Sequence, residues 1–143
     1  MKQAESNHLS LDWSARRELA KTNYKIHTDA IKEHLIDETL PARYQQKTYA
    51  DEADIINVAL FGMTAKEWRD AHPKSKGNVR DEADIMQLIV LSNLENANAN
   101  LIEDGVPQIE RLKRLRAIAV RQLKSVRSAP SAKRLEQRFE NKD

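Results

Sequence analysis

Apolar residues recur at helical spacing from Leu9 to Val126, and the pattern predicts an all-α fold of five helices. The first helix is expected over Leu9–Ile36, a stretch without Gly or Pro. At 100° per residue it carries two apolar stripes. Trp13, Ala20, Tyr24, Ile31 and Leu35 form one. Leu11, Ala15, Leu19, Ile26 and Ala30 form the other, roughly 140° round the helix. A helix apolar on two sides needs two neighbours, one from its own core and one from a partner chain. The expectation is therefore a homodimer built on the Trp13, Ala20, Tyr24, Ile31 and Leu35 stripe. If that stripe faces the internal core instead, Leu11, Leu19 and Ile26 become the interface.

Leu40-Pro41 ends the first helix inside a connection predicted over 37–47, and a second helix follows over Asp51–Phe61. Gly62 fits its left-handed C-terminal position. Thr64-Ala-Lys-Glu67 has the capping-box pattern and opens a short third helix through Trp68 to Ala71, closed by Pro73. Lys74–Arg80 reads as an exposed, mobile loop. The fourth helix is expected over Asp81–Asp104, with Gly105 beyond it. Ile85, Met86, Leu88, Ile89, Val90 and Leu91 point in nearly every direction, so its first half reads as buried all round and the helix as central. Pro107 starts a fifth helix reaching Arg127, with Leu112, Leu115, Ala119, Leu123 and Val126 as its apolar stripe. Residues 1–127 thus form one domain, and 128–143 a polar, frayed tail.

Composition narrows the classes. A chain of 143 residues with 40% apolar content suits one domain with a real core. The absence of cysteine excludes disulfides and thiolate chemistry. The longest apolar run, Leu88–Leu91, is far short of the ~20 residues of a membrane span. The N-terminus lacks a signal-peptide pattern, and the expected location is cytoplasmic. Charge is uneven. Residues 1–106 hold 13 Lys+Arg against 18 Asp+Glu, whereas 107–143 hold 11 against 4. Internal compensation, pairing between subunits and an anionic partner all suit this asymmetry.

Candidate chemistry is sparse. Asp-Glu-Ala-Asp-Ile occurs at 51–55 and at 81–85, each copy placed by the pattern at a helix start, where acids complement the dipole. The same tetrapeptide marks a helicase superfamily, but the chain has no phosphate-binding glycine loop. His27 and His34 share a helix face seven residues apart, too far for a metal pair, and read as flanking a packing seam. No Gly-x-Ser-x-Gly elbow occurs. No catalytic residue, metal site, cofactor or small-molecule substrate is therefore expected, and the chain reads as a non-enzyme. The fifth helix is more informative, with seven Lys or Arg and no acid between Arg111 and Arg127. Lys113, Arg114, Arg121 and Lys124 lie opposite its apolar stripe, while Arg111, Arg116 and Arg127 flank it. Such a face is solvated, contacts nucleic-acid phosphates, or pairs with an acidic surface. It has no aromatic residue for base stacking.

Several segments together resemble the C-terminal region of bacterial and phage-derived KilA-N domain proteins. They are Leu9-Ser-Leu-Asp-Trp-Ser-Ala-Arg-Arg-Glu-Leu-Ala-Lys-Thr-Asn-Tyr24 with Thr28-Asp-Ala-Ile-Lys32, and Tyr49-Ala-Asp-Glu-Ala-Asp-Ile-Ile-Asn-Val-Ala-Leu-Phe-Gly62. Thr64-Ala-Lys-Glu-Trp-Arg69, Gly77-Asn-Val-Arg-Asp81 and Leu91-Ser-Asn-Leu-Glu95 complete the set. The resemblance spans Leu9 to Leu123. It implies a phage- or prophage-related, DNA-associated protein in which DNA binding belongs to an N-terminal domain that nothing here resembles. No DNA-contacting residue carries over, and the chain is either a fragment beginning past that domain or a stand-alone product. The expected role is a non-catalytic accessory or oligomerisation module, associated with DNA indirectly or weakly. The alternative is a small nucleic-acid-binding protein acting through Lys113, Arg114, Arg121 and Lys124.

Overall fold

The structure, a computed structural model, describes residues 2–128, with side chains from Ser14 onward apart from Arg16. Five α-helices account for most of it: α1 (Lys2–His34), α2 (Ala42–Phe61), α3 (Ala65–Ala71), α4 (Ile85–Glu103) and α5 (Gln108–Ser128). A single 3₁₀ turn, Val79–Glu82, precedes α4, and no strand occurs among the described residues. The expected all-α domain with a central fourth helix is what forms, since α4 packs against α1, α2 and α5. The tail expected over 128–143 lies outside the described residues except for Ser128, which closes α5.

Side-chain pairs set the helix directions. Asn23 reaches Ser92 and His27 reaches Asn98, so α1 runs parallel to α4. Glu52 meets Arg111 and Ala59 meets Arg116, so α2 runs parallel to α5. Asp84 at the start of α4 meets Arg127 near the end of α5, which makes these two antiparallel. The main core fills the space between α2, α4 and α5 with Ile55, Ile56, Ala59, Leu60, Val90, Leu91, Leu94, Leu115 and Ala119. A second, smaller cluster of Ala30, Ile31, Ala99 and Ile102 fastens the C-terminal end of α1 to α4.

Local signals explain most boundaries. Thr64 and Glu67 form the expected capping box, with Glu67 N–H donating to Thr64 Oγ1 at 3.1 Å. Gly62 ends α2 at φ 78°, a left-handed conformation that favours glycine. Asp84 and Gln87 close a second box at the start of α4, so that helix begins at Ile85 rather than Asp81. Only part of its first half is enclosed: Met86, Val90 and Leu91 are buried, but Leu88 is exposed.

Three expectations are corrected. The second helix starts at Ala42, not Asp51, and the connection shrinks to 35–41. Pro41 occupies the N-cap position, where a missing N–H costs nothing, and residues 42–50 are polar enough to hide a helical stripe. The two Asp-Glu-Ala-Asp-Ile copies therefore differ. The first lies inside α2, whereas the second straddles the 3₁₀ turn and the α4 cap. Finally, Lys74–Arg80 is anchored at its end. Asn78 N–H donates to Asp81 at 2.7 Å, Val79 is buried, and Arg80 Nε donates to Asn57 Oδ1 at 3.0 Å.

Candidate functional site

The first helix presents its buried face between the two apolar stripes, taking in Ile31 from one and Ala30 from the other. Asn23, His27, Ala30 and Ile31 turn toward α4. Ile31 is 2% exposed within this chain's own core, and Leu35 packs half-buried against the same cluster. Both are thereby removed from the expected dimer interface: their stripe curves under α4 as α1 ends. Ala20 and Tyr24 of that set are exposed, and the Trp13 side chain lies outside the described residues. The second stripe is uncovered too, with Leu19 63% exposed and Ile26 40% exposed. From Ser14 to Thr22 every described side chain is exposed. Because Asn23 sits level with Ser92, and α4 begins seven residues earlier, α1 has no α4 beside it before about residue 16.

The fifth helix places its basic residues in two groups. Lys113, Arg114, Arg121 and Lys124 are all exposed, on the side away from the buried Leu115 and Ala119, as the helical spacing predicts. Arg114 pairs with Glu110 at 3.3 Å, while Lys113, Arg121 and Lys124 meet no acid among the described residues. Two of the flanking cations stay exposed while reaching neighbouring helices. Arg116 donates to the Ala59 carbonyl at 2.9 Å, and Arg127 reaches Asp84 at 3.4 Å. Arg111 is buried outright.

Around Arg111 lies a polar network that periodicity alone does not reveal. Its guanidinium grips Glu52, Nη1 donating to Oε1 and Nη2 to Oε2 at 3.2 Å. Nη1 also donates to Asn98 Oδ1 at 3.0 Å. With its oxygen so engaged, Asn98 turns its amide nitrogen to Glu52 Oε1 at 3.0 Å and to His27 Nε2 at 2.8 Å. His27 Nε2 is therefore an acceptor, and the imidazole proton sits on Nδ1. Gln108 donates to Glu52 Oε2 at 3.1 Å and completes the carboxylate's shell. Glu52, Asn98 and Arg111 each occupy a core register, Glu52 beside Ile55 and Ile56, Asn98 between Leu94 and Ile102, and Arg111 one turn before Leu115. A polar residue inside an apolar stripe was the available signal for all three.

Two further titratable groups share the α1–α4 seam. Glu95 is 5% exposed and lies 3.9 Å from His27 Nδ1, beyond hydrogen-bond range. Burial pushes the Glu95 carboxyl up to about 7, against the pull of Arg80. Burial also pushes the His27 imidazole down to about 4, with Arg80 and Arg111 adding to the effect and Glu52 opposing it. His34, expected to share a packing seam with His27, is instead exposed at the rim of a cleft of about 590 Å³ beside Glu52 and Arg111. No group of three metal-ligating side chains occurs among the described residues. Nor is any helix among them long and apolar enough to cross a membrane. No family model, curated protein or solved structure matches the chain.

Proposed function

We propose that the chain is a non-catalytic self-association module, paired with a second copy through the uncovered part of α1. The observation that carries this reading is the run of exposed side chains from Ser14 to Thr22, within a helix that outlasts its α4 support. A helix of 33 residues is about 50 Å long, against about 28 Å for the 19 residues of α4. A helical overhang without tertiary contacts is marginal in water, so it needs a partner surface. A two-fold pair needs a patch that complements itself, and antiparallel pairing of a second α1 sets Leu19 of one copy against Ile26 of the other. Leu19 and Ile26, the exposed residues of the second stripe, supply the apolar contact, since Ile31 and Leu35 of the other stripe pack against this chain's own core. Sedimentation equilibrium tests this. The reading expects a dimer at tens of micromolar, shifted to monomer by Leu19→Glu without loss of helicity. A wild-type chain that stays monomeric at those concentrations overturns it. The resemblance to KilA-N proteins supports placing such a module in a phage-related, DNA-associated protein of the cytoplasm.

A second reading, direct contact with nucleic acid, is favoured by Lys113, Arg121 and Lys124 standing exposed without acidic partners among the described residues. Phosphate contacts make affinity fall steeply with salt, each contributing about 0.9 to the log–log slope. Duplex binding at physiological salt that disappears when Lys113, Arg114, Arg121 and Lys124 are all replaced would promote this reading over the first.

A further inference from the structure

Between α1, α2, the 3₁₀ turn and α4 lies a cavity of about 50 Å³. The first of these elements lines it with Tyr24, His27 and Thr28, the second with Tyr49, the turn with Arg80 and the last with Glu95. His27 and Glu95 are more than nine-tenths buried as residues, and the atoms they turn toward the cavity keep some solvent access and make no hydrogen bond to a described residue. His27 spends Nε2 on Asn98, which leaves the Nδ1–H facing Glu95 across 3.9 Å. Glu95 accepts no hydrogen bond from any described residue at all. Arg80 is held from behind by neutral acceptors, Asn57 Oδ1 at 3.0 Å and the Ala53 carbonyl at 3.5 Å. No carboxylate lies within 4.0 Å of its guanidinium among the described residues, so its positive charge is uncompensated at short range. An N–H donor, an arginine and a carboxyl thus converge on one space, with nothing from the chain filling it.

We propose that this cavity is a site for a small carboxylate, of formate to acetate size, taken up together with a proton on Glu95. Size sets the class. At about 10–15 Å³ for each water-sized group, the cavity holds about three to five such groups, room for the three heavy atoms of formate or the four of acetate. Charge sets the sign. The arginine and the Nδ1–H favour an anion and disfavour a cation, and Glu95, once protonated, becomes a third donor rather than a repelling charge. That protonation comes at little cost, because burial already holds the Glu95 carboxyl near neutrality. The proton comes from solvent, and no bond is made or broken in the ligand. Glu52 and Arg111, behind Asn98, compensate each other and fix the His27 tautomer without entering the cavity.

The test is a formate titration of the full chain followed by ¹H–¹⁵N NMR, at pH 6 and pH 8, on wild type and Glu95→Gln. Saturable shifts at the Arg80 Nε–H and the His27 ring are expected at pH 6. Binding should weaken about tenfold at pH 8, because only the protonated fraction of Glu95 is competent. Glu95→Gln, a permanent donor of the same shape, should bind at both pH values with equal affinity. Acetate and N-acetylglycine distinguish the source of the carboxylate. Acetate binding with N-acetylglycine excluded assigns a free small acid, whereas tighter binding of N-acetylglycine assigns the carboxylate end of a peptide. Absence of saturable shifts in the wild type at either pH overturns the proposal, and this arm needs no variant to fold. Binding that is independent of pH in the wild type, or abolished in a folded Glu95→Gln, overturns it equally.

Discussion

Replacing Arg111 by methionine keeps the aliphatic bulk of the side chain and removes the charge that Glu52 faces across the α2–α5 contact. In the native chain Glu52 receives four hydrogen bonds, two from Arg111, one from Asn98 and one from Gln108. Both members of the ion pair are almost wholly buried, the side chains 4% and 2% exposed. After Arg111→Met, the carboxylate keeps only the two amide donors and sits in the interior with its charge uncompensated. Breaking a buried pair on one side costs about 3–5 kcal/mol. Asn98 also loses the donor to Oδ1 that orients it toward His27, so the cost belongs at the upper end of that range. Against a total stability of about 5–15 kcal/mol, this is a large fraction. Converting Glu52 to Gln in the same chain removes the stranded charge and should restore part of the loss, leaving a coupling energy of about 2 kcal/mol or more. Urea unfolding of wild type, Arg111→Met, Glu52→Gln and the double variant supplies the cycle. A cost below about 1 kcal/mol for Arg111→Met, or strict additivity in the double variant, would refute the argument that Glu52 and Arg111 act as one unit.

Other consequences follow from single positions. His27 titrates below its ordinary 6.5, so its contribution is intact above that value and lost as the pH falls toward about 4. Glu95 titrates above its ordinary 4.5, so its burial costs nothing below that pH and costs increasingly as the pH rises through about 7. Relative to wild type, His27→Gln should therefore gain stability on acidification and Glu95→Gln on alkalinisation, each by at most about 3 kcal/mol, in urea titrations from pH 4 to pH 8. Parallel pH profiles for the two variants would contradict this. Leu94, fully buried at the centre of α4, should cost about 2–5 kcal/mol as Leu94→Ala, while the exposed Leu88→Ala should cost well under 1 kcal/mol by thermal or urea unfolding. Gly62→Ala should cost about 1 kcal/mol from backbone strain alone, since φ is 78° and no atom lies within 4 Å of an added Cβ.

The parts of the fold readable from the chain were those written in local chemistry. Thr64 and Glu67, Gly62 and Pro107 mark helix ends by capping and backbone geometry, which neighbours along the sequence decide. The central place of α4 followed from its unbroken apolar run. The polar first half of α2 was hidden because residues 42–50 are mostly exposed or half-buried and leave no apolar stripe to count. The buried network was hidden for a different reason. Arg111 and Glu52 are 59 residues apart, and a charge at the edge of a helical stripe looks solvated until its partner arrives from another helix. Asn98 shows the same effect: its partners Glu52, Arg111 and His27 arrive from three other helices.

Self-association through α1 is the central claim, and the chain's lack of cysteine makes one measurement especially direct. A spin label attached at Ala20→Cys reports distances between copies without interference from any native thiol. Two α1 helices packed side by side lie about 8–10 Å apart, so the account predicts an intermolecular distance below about 30 Å between the labels in pulsed dipolar spectra. Spectra that show only a uniform background at tens of micromolar protein, with no resolved distance, would contradict it.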